Sequence, residues 1–182
     1  MKKTIVLLLL LLTFFIPNVS SSQNGITTGS KDIDKLEILN IKNKLEDHIK
    51  ELSVIKDDLK QIHTSMSASQ AKERFYIIHS RENIGNIQGI YMYVDNTLQE
   101  ILLMKKDKIR YYRYLKEYEI DQMRRLTNEY LNNIQRMRTQ ISNKTALHLI
   151  DKATETIHSS SELLDKAIEI VQQHSEQKEA DR

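Results

Sequence analysis

Apolar residues recur at alternating spacings of three and four along most of the chain. Ile38, Ile41, Leu45, Leu52, Ile55, Leu59, Ile62 and Met66 follow this rule, with His48 where one more apolar residue is due. The residues between them are mostly charged. A stripe at this spacing lies along one side of an α-helix and is buried against neighbouring helices. The pattern predicts a helix over 32–64, roughly 50 Å long. Ser67 followed by Gln70 spells a capping box, in which each residue satisfies the other's free backbone donor, so 64–69 reads as the first turn. A second stripe is expected through Ala71, Phe75 and Ile78, then Ile84, Ile87, Tyr91, Val94, Leu98 and Ile101. Gly85 and Gly89 fall inside it and each costs about 1 kcal/mol against Ala in a helix. They mark a kink, a short break or a close helix crossing.

Met104 to Lys108 has no apolar seam and reads as a turn or an exposed strip. The pattern resumes through Met123, Leu126, Tyr130, Ile134, Met137 and Ile141. Ser142, Asn143 and Thr145 offer a further helix start. The last stripe uses Ile150, Ala153, Ile157, Leu164, Ile168 and Val171, and a second capping-box spacing, Ser159 with Glu162, predicts a break near 159. After Pro17 there is no proline, so nothing forces a helix to stop between 90 and 142. The fold class is all-α: a bundle of three to four long amphipathic helices with heptad, coiled-coil-like seams. Four helices in an up-down bundle are favoured over three with one very long middle helix.

The N-terminus breaks this pattern. Lys2 and Lys3 precede an unbroken apolar run, Ile5 to Leu12, extended by Phe14-Phe15-Ile16; Pro17 and the small residues to Ser22 follow. That is the layout of a secretory signal peptide, and the run is short of the ~20 residues of a spanning helix. The organisation expected is a signal peptide over 1–22, a flexible leader over 23–31, one helical-bundle domain over 32–174 and a polar tail over 175–182. The location expected is periplasmic or secreted from a bacterium, with no stable membrane span after cleavage.

Composition narrows the function classes. Without Lys2 and Lys3, 25 basic residues balance 25 acidic ones, so the excess positive charge that nucleic-acid binding uses is missing. The chain has no cysteine, which removes disulfides, thiolate metal sites and cysteine nucleophiles together. No nucleophile elbow, zinc-protease motif or phosphate-cradling loop is present. The expectation is a non-enzyme without a cofactor.

Two constellations remain as candidates. His48 replaces an apolar residue in a regular seam, where a buried imidazole needs a partner. Glu155 and His158 have the Glu-x-x-His spacing that places two metal ligands on one helical face, but di-iron bundles use it twice and here it occurs once. His48, Glu155 and His158 are therefore only weak metal-site candidates. The densest feature is Arg110 to Tyr118, which holds four of the chain's eight tyrosines. Tyr111, Tyr114 and Tyr118 share a face, and with Arg110 and Arg113 they have the composition of an interface anchor. Segment 105–138 carries ten basic and five acidic residues, whereas 155–182 carries three and seven. These segments either attract each other within the bundle or present a docking surface.

On Met1 to Ser22 and the seams that start at Ile38 and Met123, the chain resembles, in general plan, the exported helical subunits of bacterial conjugation and type IV secretion machines. The resemblance involves no diagnostic motif and carries over no functional residue. It implies a component of an envelope or secretion assembly whose partners are other envelope proteins or further copies of itself. A periplasmic chaperone, a stress or metal sensor and a small-molecule-binding bundle are the alternatives.

Overall fold

The computed structural model describes residues 29–103 and 109–176, with side-chain surroundings for 35–103 and 118–170. The segment read as a signal peptide, most of the expected leader, Met104 to Lys108 and the end of the tail lie outside the described residues. Among the described residues there are four α-helices: α1 (Gly29–Ser65), α2 (Ala71–Leu103), α3 (Ile109–Arg138) and α4 (Lys144–Glu176). Among the described residues there is no strand, and no helix is long and apolar enough to cross a membrane. Four helices, not three, is the outcome.

Cross-helix bonds give the topology. Lys42 meets Asp95 and Arg81 reaches the Lys56 carbonyl, so α1 and α2 are antiparallel. Tyr93 bonds Glu119 near one end of the α2–α3 pair and Glu73 bonds Ser142 and Asn143 at the other, so these helices are antiparallel too. Arg124–Asp165 and Arg138–Asp151 tie α3 to α4 in the same sense. His48 and Glu51 bond Ser160 and Thr156, which closes α4 onto α1. The result is an up-down-up-down bundle.

The first seam is buried as expected. Ile38, Ile41, Leu45, Leu52, Ile55, Leu59 and Met66 are in the core, and His48 and Ile62 lie half-buried at its edge. Each fully buried Leu or Ile contributes about 1.5–3 kcal/mol over an exposed one. Helix α1 starts at Gly29, so it takes in the last residues assigned to the leader. The 67–70 turn also forms: Gln70 Oε1 accepts the Ser67 N–H at 3.2 Å ahead of a short 3₁₀ turn, Ala68–Gln70. Asn143 caps α4, its Oδ1 accepting the Ala146 N–H at 2.9 Å.

Three expectations need correction. Ala71 and Phe75 are exposed, because α2 buries Ile77, Ser80, Ile84, Ile87 and Tyr91 instead. Ser80 is polar, so this spacing of three and four reads as interrupted in the sequence. On α3 the buried path runs through Ile120, Thr127, Leu131 and Ile134, leaving Met123, Leu126, Tyr130 and Met137 half-buried on its flank. Thr127 is accommodated because its hydroxyl donates to the Met123 carbonyl within the helix. Helix α4 does not break at Ser159. That hydroxyl donates back to the Thr156 carbonyl, and Leu163, Leu164 and Ala167 continue the buried stripe past it. Nor do the glycines break α2. Neither marks a tight crossing: a Cβ at Gly85 would stand 3.4 Å from Lys56 Cε, at ordinary van der Waals contact, and one at Gly89 would meet nothing within 4 Å.

Candidate functional site

Helix α1 presents polar side chains on both flanks of its apolar stripe, and the two flanks differ. Against α4, His48 Nδ1 lies 2.6 Å from Ser160 Oγ. The fully buried Ser160 hydroxyl donates to the Thr156 carbonyl at 2.7 Å, so its lone pair accepts from Nδ1–H. Tyr91, also fully buried, donates to the Ile157 carbonyl. Burial pushes the Tyr91 phenol above its ordinary range, and a hydrogen bond with Ser160 pulls the other way. One turn from His48, Glu51 accepts from Thr156 Oγ1 at 2.9 Å and pairs with Lys152 at 3.0 Å. The Lys152 bond leads in holding its carboxyl below the usual range.

This layer contains a serine–histidine pair, but Ser160 Oγ is enclosed and already donates to a backbone carbonyl. A nucleophile must meet its substrate, so the arrangement suits register and packing. Burial is the largest influence on His48 and lowers its pKa; Glu51 and Asp47 oppose it and Lys44 adds to it.

Against α2, polar contacts continue down the helix. Lys42 Nζ, nearly enclosed, meets Asp95 at 2.6 Å. Gln88 bridges the two helices, donating to the Ile49 carbonyl at 2.9 Å and accepting from Lys56 Nζ at 2.7 Å. Below that point no carboxylate completes the pattern. Lys56, Lys60 and His63 follow one another at spacings of four and three, and so do Arg74, Ile78 and Arg81 on the facing side of α2. Both ring nitrogens of His63 are buried without a partner; Ser80 Oγ is the other such atom among the described residues. Burial lowers the His63 pKa most, then Arg81 and Arg74; a contact with the residue's own backbone, outside hydrogen-bond geometry, raises it, and Lys60 lowers it further. None of these influences is a carboxylate.

The expected metal candidates do not converge. Glu155 and His158 are both exposed on α4, while His48 turns to Ser160. Among the described residues no group of three His, Asp or Glu side chains could hold a metal ion. Arg110, Tyr111, Arg113 and Tyr114 belong to the first turns of α3, and their side chains lie outside the described residues. Tyr118, next on that face, is 65% exposed. The register set by Lys42–Asp95 and Tyr93–Glu119 brings it to the end of the bundle that also holds Leu36 (67% exposed), Leu39 and Leu103 (75% exposed).

Sequence reasoning named His48 and Tyr118 but missed the α1–α2 groove. The signal was present: two basic stripes at helical spacing, just before and after the 67–70 turn, must face each other in an antiparallel pair. Compared with protein-family models, curated proteins and solved structures, the chain matches none.

Proposed function

We propose that the chain is an exported, non-enzymatic helical protein that works by binding other proteins, as a component of an envelope or secretion assembly of the conjugal-transfer type. The observation that carries this reading is the grouping of exposed apolar side chains at one end of the bundle. Leu36, Leu39, Leu103 and Tyr118 stand in water there, beside the segment that supplies Arg110, Tyr111, Arg113 and Tyr114. Exposed apolar side chains grouped at one end of a bundle suit an interaction surface, and Tyr and Arg are the usual anchors.

The same seams that fill the core are consumed within one chain, so a partner must use the outer surface. The signal-like segment Met1 to Ser22 supports export, and the balanced charge of the remainder gives nucleic acid little to bind. A photo-crosslinking residue in place of Tyr118 tests the proposal in intact producing cells, with one in place of the exposed Lys144 at the opposite end as control. Adducts from position 118 to defined envelope proteins, weak or absent from position 144, are expected. Equal or no adducts from both positions would remove the proposal.

A further inference from the structure

The groove between the last turns of α1 and the first turns of α2 has three features that suit an anion. It is predominantly basic. Lys60 and Arg74 are exposed, Arg81 is half-buried, and none of Lys56, Lys60, Arg74 and Arg81 forms an ion pair among the described residues. Two acids of α2 are engaged elsewhere: Glu73 accepts from the N–H groups of Ser142 and Asn143 at 2.6 Å each, and Glu82 pairs with His79 at 2.8 Å. On α1, Asp57 stands three residues before Lys60, so one carboxylate flanks the basic stripe.

It contains an orphaned imidazole. A buried ring nitrogen without a partner is costly, and native proteins rarely leave both unmatched. Finally, it is held in place. Arg81 Nε donates to the Lys56 carbonyl at 3.2 Å, the Lys56 stem runs over Gly85, and Lys56 Nζ is fixed on Gln88. The facing stripes are thus pinned at one end, while the exposed side chains of Lys60 and Arg74 are free to admit a ligand.

We infer that this groove binds an oxyanion, a phosphate or carboxylate group, between Arg74, Arg81 and Lys60, with His63 as a further donor. Guanidinium groups present paired donors to such oxygens, and His63 gains a hydrogen-bond partner for a nitrogen that has none. The site is separate from the apolar end of the bundle and does not depend on how that end is used.

Calorimetric titration of the chain from Gln23 onward with inorganic phosphate, at constant ionic strength set by chloride, tests the inference. One saturable site is expected, about tenfold weaker in Arg74→Gln and in His63→Leu, and unchanged in Arg124→Gln on the far helix pair. Arg74 is exposed, so its replacement leaves the fold intact, which the thermal melt verifies. A glutamate-rich peptide that competes with phosphate identifies carboxylates as the natural ligand; phosphate binding without competition identifies a free oxyanion. No saturable heat with either probe, or binding equal in Arg74→Gln, would overturn the inference.

Discussion

His48 and His63 lie about four turns apart on one helix, both half-buried, and burial lowers both pKa values, yet their surroundings are opposite. His48 has a hydroxyl partner in Ser160 and the acids Glu51 and Asp47 nearby. His63 has no partner and three cations around it. A polar group inside a bundle that finds its partner within the chain fixes register; His63, which finds none, is where the proposed oxyanion would supply one. The comparison separates the polar contacts of α1 that are complete within the chain from those that are not.

The sharpest way to break the comparison is to damage the complete side. Asp95→Ala strands the nearly enclosed Lys42 ammonium, with only Glu46 left at 3.8 Å, and should cost about 3 kcal/mol in urea unfolding. Ser160→Ala removes the acceptor of His48 Nδ1–H and a neighbour of Tyr91, and should cost about 1–2 kcal/mol by the same measurement. On the open side the sign reverses. His63→Leu breaks no hydrogen bond and removes two orphaned nitrogens, so stability should hold or rise by up to about 1 kcal/mol. A loss as large as that of Ser160→Ala would show that His63 has a structural partner after all.

Acid sharpens the contrast. Burial, the largest influence on both histidines, lowers their folded pKa values below the 6.5 of the free side chain, so folding favours the neutral form of each. Their contribution is fully present above pH 6.5 and is lost as pH falls through the folded values. The lowered carboxyls of Glu51 and Asp151 give way only further down, below their ordinary 4.5 and 3.8. Urea midpoints should therefore fall between pH 7 and pH 5, and His48→Leu and His63→Leu should each flatten that fall. The smallest effect is expected from Arg138→Ala. Its pair with Asp151 is at the surface, and thermal melts should not register its loss.

Much of the fold was legible in spacing. The α1 stripe, the 67–70 turn and the Asn143 cap follow from residue type and position. Errors came where a polar residue occupies a core position: Ser80 and Thr127 hide the buried paths of α2 and α3, because each hydroxyl looks exposed in sequence and is enclosed in the fold. Ser159 misled in the opposite way. Its capping residues are real, but the apolar stripe beyond them keeps the helix continuous. The His48 partner could be demanded but not identified, since Ser160 is brought to it only by the closure of α4 on α1. The groove at His63 arises from pairing across a turn and escapes any reading of one helix at a time.

The most direct test of the contrast is the titration of the two imidazoles in a single NMR experiment on the chain from Gln23 onward, with and without inorganic phosphate at fixed ionic strength. The account predicts that both rings titrate below 6.5 in chloride, and that phosphate moves the His63 pKa upward while His48 stays in place. Two rings that respond alike, or a His63 ring that ignores phosphate, would contradict it.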